Sequence, residues 1–171
     1  MTPVFADNIP ILTSGCLLGM CCRYDGEERG SPFIKTLARS LQVIPFCPEQ
    51  LGGLPTPRPS SNIIGGDGRD VLDGNARVVN SEGLDVTEPF IRGANEALKL
   101  AHLYNAKIAI LKDKSPSCGV TTLYCEKPDG KGMGVTAAIF KSAGIQMIEV
   151  SSGGSFSEEE FAAIIEGAQR G

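Results

Sequence analysis

Three cysteines each follow a short apolar run in a chain of 171 residues that holds six cysteines and one histidine. Cys16 lies in Ser14-Gly15-Cys16-Leu17-Leu18-Gly19, just past Ile9-Pro10-Ile11-Leu12-Thr13. Cys47 follows Val43-Ile44-Pro45-Phe46 and opens Cys47-Pro48-Glu49. Cys118 lies in Lys114-Ser115-Pro116-Ser117-Cys118-Gly119, after Ile108-Ala109-Ile110-Leu111. If those runs are strands of one parallel sheet, all three thiols reach its carboxyl pole, where open α/β sheets bind ligands. Thiolates select zinc or iron–sulfur clusters. No Cys-x-x-Cys pair supplies the zinc-ribbon spacing. His102 belongs near the C-terminal end of a long helix, about 20 Å from the helix start. That disfavours a Cys–His catalytic pair and a Cys3His zinc site alike, and leaves a [4Fe–4S] cluster as the better reading. Three cysteines keep one iron open, the mark of a catalytic rather than a structural metal site. Cys21 or Cys22 could close the cube. Cys125, in the alternating Thr121 to Glu126 segment, reads as a packed side chain.

The elements that must position these thiols alternate strand with helix. Ser31 as N-cap and Pro32 at the first helical position open a helix whose apolar face is Phe33, Ile34, Leu37, Ala38 and Leu41. Val43 to Phe46 is a strand in which Pro45 marks an end or an edge. From Pro48 to about Asn75 the chain is rich in Gly and Pro and reads as one long functional loop. Arg77-Val78-Val79 and Asp85-Val86 suggest a small hairpin. Thr87 caps the longest helix, roughly 88–105, with Phe90, Ala94, Ala97, Leu98, Ala101 and Asn105 on one face. Val135 to Ala143 is a helix behind the run Gly130-Lys131-Gly132-Met133-Gly134, whose backbone N–H groups offer an anion site. That run matches neither a dinucleotide fingerprint nor a P-loop. Ile145 to Val150 is a further strand. Ser157 with Glu160 forms a capping box before a last helix carrying Phe161, Ile164, Ile165 and Ala168. Short apolar strands between amphipathic helices predict a three-layer, Rossmann-like α/β domain with a mostly parallel sheet, a single domain over 1–171.

Composition narrows the function classes. Hydrophobic residues at 42% and charged residues at 21% are ordinary for a globular protein. A net charge of −4 argues against a protein held to nucleic acid by phosphate contacts and makes tRNA a less favoured partner. No apolar run approaches the roughly 20 residues that span a bilayer. Thr13-Ser14-Gly15-Cys16 has the outline of a lipoprotein cleavage site, yet Met1 to Pro10 lacks basic residues and a proper apolar stretch. The expected location is the cytoplasm, where free thiols serve metals or catalysis rather than disulfides.

At Cys16-Leu17-Leu18-Gly19, Cys22-Arg23-Tyr24-Asp25-Gly26, Cys47-Pro48-Glu49, 52–59 (Gly-Gly-Leu-Pro-Thr-Pro-Arg-Pro), Ser115-Pro116-Ser117-Cys118-Gly119 and 132–138, the chain resembles the DUF523 family of thiouracil desulfurases. The resemblance implies a [4Fe–4S] cluster on Cys16, Cys47 and Cys118 whose fourth iron takes the sulfur of the substrate. It also implies that Glu49 and Ser115 act in catalysis. Glu49, two residues from Cys47, suits a base that deprotonates water, and Ser115 suits orienting that water or relaying a proton. The products are the oxo base and sulfide, with no net electron transfer. Arg23 and Arg58 are candidates for holding the base or a nucleotide phosphate, or else for bracing loops. The expected substrate is thiouracil or a thiolated uracil nucleotide. A thiolated tRNA base as substrate, a non-catalytic cluster sensor or sulfur carrier, and a zinc or redox-thiol module are the rivals.

Overall fold

The computed structural model describes residues 9–170. Most of the Met1 to Pro10 segment weighed above therefore lies outside the described residues, as do the side chains of Ile164 and Ala168. Strand β1 (Ile11–Ser14) is buried along its whole length, as an apolar run at the centre of a sheet must be. It pairs in parallel with β2 (Val43–Phe46) on one side and β5 (Ile108–Lys112) on the other. β6 (Gln146–Val150) pairs in parallel with β5, so the sheet order is β2-β1-β5-β6. β2 is an edge strand, a placement compatible with the missing N–H of Pro45.

Side-chain alternation splits the core in two. Leu12, Ala109 and Leu111 face Ala97 and Ala101 of α4 (Thr87–Leu103) and Ala137 and Phe140 of α5 (Val135–Ser142). Ile11, Ile108 and Ile110 face Ile34 of α1 (Pro32–Leu37) and Phe161 and Ile165 of α6 (Glu158–Arg170). Helices thus cover both faces of a parallel sheet, the expected three layers. Chain direction changes at β1: the chain moves outward to β2, then returns to add β5 on the other side of β1. The crevice beyond the ends of these strands is where such sheets place ligands.

Several local expectations are corrected. The stretch 48–75 is not one loop. It contains α2 (Pro48–Leu51), β3 (Ser61–Ile64) and α3 (Gly68–Leu72), single turns and a short strand too brief to show periodicity. Asp67 nucleates α3 with a capping box closed by Asp70. β3 pairs antiparallel with β4 (Arg77–Asn80), and the hairpin expected beyond β4 is reduced to one bridge, Val79 to Asp85. Thr87 does not cap α4. Asp85 accepts from the Thr87 N–H at 2.9 Å, freeing the Thr87 hydroxyl to accept from Val78 N at 2.8 Å and tie the helix to β4. The Ser157–Glu160 capping box forms as expected. No helix among the described residues is long and apolar enough to cross a membrane.

Candidate active site

Beyond Ser14 the chain tightens into a 3-10 turn, Gly15–Leu18, which carries Cys16. Gly19, at φ +89°, then reverses it, a left-handed position that favours glycine. The reversal returns Cys22 to the end of β1, where its sulfur lies 3.4 Å from the point a Cβ on Gly15 would occupy. Cys21 faces out and Cys22 is 3% exposed. Cys47 directly follows β2 and is the N-cap of α2, so Glu49 falls in the first turn of that helix. The Cys47 thiol lies 3.5 Å from the Cys22 carbonyl.

Helix α2 packs against α4 backbone to backbone. A Cβ on Gly93 of α4 would sit 1.8 Å from the Pro48 carbonyl oxygen, and one on Gly52 2.0 Å from the Pro89 oxygen. Only glycine at both positions lets the two helices cross at that spacing.

The Cys118 loop is built differently. Ser115 Oγ accepts from the N–H groups of Ser117 at 3.2 Å and Cys118 at 3.0 Å. The first amides of α5 reach back to the same loop: Val135 N to Pro116 O at 2.9 Å and Thr136 N to Ser117 O at 2.9 Å. Ser117 Oγ is hydrogen-bonded to Thr136 Oγ1 at 2.9 Å in a fully buried pair. The anion site expected at this helix start is therefore corrected. Its N–H groups are engaged by peptide carbonyls, and they fix the segment that carries Cys118.

All seven candidate residues, Cys16, Cys47, Cys118, Glu49, Ser115, Arg23 and Arg58, line one cavity of about 220 Å³. Cys22, weighed with Cys21 as a ligand that could close the cube, lines it too, as do Tyr24, Lys112 and Tyr124, which sequence reasoning missed. The RYDG stretch and the last position of β5 were the available signals for Tyr24 and Lys112. Both arginines are engaged by the protein. Arg23 donates to both oxygens of Asp25 at 3.1 and 3.0 Å and lies over the Tyr24 ring, 5.5 Å from its centroid. Arg58 donates to Glu49 Oε2 at 2.6 Å.

The electrostatics are those of crowded thiols. Contact with Cys16 is the main force pushing Cys22 up to about 11, opposed by contact with Cys47. Cys47 is also pushed up, by its contact with Cys22 and then by burial. Burial pushes Cys118 up to about 12 against the pull of the Ser14 hydroxyl. Buried neighbouring thiols resist ionising together until a cation offsets their charge. Among the described residues no three or more His, Cys, Asp or Glu side chains converge closely enough to hold a single metal ion. Thiols spread around a cavity at strand ends suit a multi-atom cluster better, and sulfur donors are the set that iron–sulfur clusters take. The donor set therefore fits such a cluster.

Comparison with known proteins points the same way. The family model described as 2-thiouracil desulfurase matches residues 11–151. The uncharacterised protein YbbK of Bacillus subtilis (strain 168) is 46% identical over 141 residues, 81% of this chain and 93% of that protein. A solved structure of the [4Fe-4S]-dependent thiouracil desulfidase TudS is similar with a TM-score of 0.71. It shares 34% identity, covering 95% of this chain and 99% of that one.

Proposed function

Since this chain belongs to the 2-thiouracil desulfurase family, we propose that it is an enzyme that removes sulfur from thiouracil or a thiolated uracil nucleotide without net redox change. The observation that carries this is one cavity at the strand ends where Cys16, Cys47 and Cys118, from three distant segments, meet Glu49 and Ser115, with Cys22 beside them.

Cys16, Cys47 and Cys118 would hold a [4Fe–4S] cluster. Bound there, it supplies an iron with an open position, a Lewis acid toward a thiocarbonyl sulfur. The remaining chemistry falls to the chain. Glu49 Oε2 accepts from Arg58, while no hydrogen bond engages Oε1 among the described residues, so Oε1 is the atom that takes a proton from water. Ser115 Oγ accepts two amide hydrogens, which leaves its own O–H to donate and orient that water. The water oxygen replaces sulfur on the ring carbon, two protons leave with the sulfur as hydrogen sulfide, and no electrons are gained or lost. Tyr24 and Tyr124, both half-exposed at the cavity, offer flat apolar surface to a planar base.

The test is anaerobic reconstitution followed by sulfide release from 2-thiouracil, 4-thiouracil, their nucleotides and thiolated tRNA. Activity on the small molecules is expected. Turnover confined to tRNA would overturn the substrate class. Glu49→Ala is expected to lower sulfide release about 10²- to 10⁴-fold, the usual worth of a general base.

One observation favours a second reading, a fully ligated cluster in a sensor or sulfur carrier: Cys22 is buried in the same cavity and touches Cys16 and Cys47. Iron analysis separates the two. For the enzyme, Cys16→Ser, Cys47→Ser and Cys118→Ser each lose the cluster and Cys22→Ser keeps it. For the carrier, Cys22→Ser loses it as well.

A further inference from the structure

The buried pair of Arg58 and Glu49 has an asymmetry that bears on how the base is aimed. Arg58 Nε reaches Glu49 Oε2 at 2.6 Å, with the two side chains 5% and 15% exposed. Three of the other four guanidinium donors are also engaged. Nη1 donates to Pro55 O at 3.1 Å and Thr56 Oγ1 at 3.0 Å, and Nη2 donates to Cys22 O at 3.0 Å. The Arg58 backbone N–H adds a bond to Tyr24 O at 2.8 Å. A guanidinium has five N–H donors, so a single one is left over. An arginine that grips a planar substrate presents two parallel donors from its fork. Here that fork is filled by the protein.

What the guanidinium does control is Glu49. The carboxylate hangs from α2, a helix of one turn, and a glutamate side chain keeps much rotamer freedom unless something fixes it. A two-pronged pair would occupy both carboxylate oxygens. The single contact on Oε2 holds the carboxylate at the cavity it lines and leaves Oε1 without a protein hydrogen-bond partner among the described residues. The same group holds the Cys22 carbonyl, against which the Cys47 thiol rests at 3.5 Å. Carboxylate, thiol and returning loop are thereby set by one buried cation. We infer that Arg58 is a positioning residue that acts through Glu49, rather than a residue that binds the substrate. This rests on the proposed role of Glu49 as the base.

A double-mutant cycle tests it: the parent, Arg58→Lys, Glu49→Gln and the double variant, with rates of sulfide release from 2-thiouracil taken per bound cluster and iron measured on each. Arg58→Lys keeps the charge and loses the geometry. It is expected to lower kcat by about 10²-fold, the cost of a misplacement near 1 Å, with KM changed less than about 3-fold and iron content kept. In the Glu49→Gln background the same change is expected to cost less than about 2-fold, because residues acting as a unit are non-additive. Arg58→Ala, should the lysine variant fold poorly, is expected to regain kcat on addition of guanidinium chloride only when Glu49 is present. A raised KM with kcat unchanged, or an equal loss in both backgrounds, would overturn the inference. Sulfide release undiminished in Glu49→Gln alone would remove the base itself, a distinguishable failure that takes this inference with it.

Discussion

Two helices begin at the rim of the cavity, and they use their first turns in opposite ways. Helix α5 engages its opening amides with the carbonyls of Pro116 and Ser117, so its start clamps the loop that carries Cys118. Helix α2 begins at Cys47 with no side-chain cap and Pro48 in its first turn, and it projects Glu49 into the cavity. The first is a fastening and the second is a presentation. Their supports differ accordingly: hydrogen bonds hold the Cys118 loop, and a glycine-to-glycine crossing with α4 holds α2. Under the proposed roles, in which Cys118 is a ligand and Glu49 a base, the site benefits from both kinds.

The contrast is sharpest at Gly93. Gly93→Ala places a methyl group 1.8 Å from the Pro48 carbonyl, where neither partner is a side chain that can turn away. It is expected to cost about 3 kcal/mol, the upper part of the overpacking range. Because it moves Cys47 and Glu49 together, bound iron and sulfide release should both fall. Thermal unfolding and iron analysis read the two effects, and a variant with unchanged stability and full activity would break the picture of a rigid crossing. Gly134→Ala attacks the other fastening. Its methyl would meet Ser117 O at 2.4 Å, while φ −69° is an ordinary backbone for alanine. About 2 kcal/mol of lost stability is expected from overpacking, with weaker cluster retention through Cys118 and an undisturbed Glu49. Ser115→Ala leaves the amides of Ser117 and Cys118 without their acceptor, which should cost about 1–2 kcal/mol. It should also slow sulfide release more than stability alone explains, if the hydroxyl donates to water. Thr136→Val removes one hydrogen bond from the buried pair with Ser117 and should cost about 1 kcal/mol. Activity per cluster should stay at the parent level. A loss of turnover there would make the α5 clamp part of the chemistry rather than its mounting.

The four parallel strands and the helices that cover them were legible because each is a short apolar run or a face repeating every three to four residues. The convergence of Cys16, Cys47 and Cys118 followed from the same logic, since strand ends are readable even when tertiary contacts are not. Elements within 48–75 were hidden for a physical reason. α2 and α3 are single turns, too short for a periodic signal, and β3 gains its identity only from pairing with β4. The sequence alone does not choose between Cys21 and Cys22, because that choice is made by Gly19, whose left-handed backbone turns the loop back on itself and buries Cys22. The partners of Arg58 were hidden because Pro55, Thr56, Glu49 and Cys22 come from three segments that only the folded chain brings together. The α5 start was misread because a free helix terminus and one already occupied look alike in sequence.

Where Gly52 and Gly93 meet, two peptide planes touch with no rotamer between them to absorb a shift. Any slide of the long α4 helix along its axis is handed on to the short helix beside it with little attenuation. A substitution that shifts α4 is thus expected to move Pro48 and the neighbouring Glu49 as well.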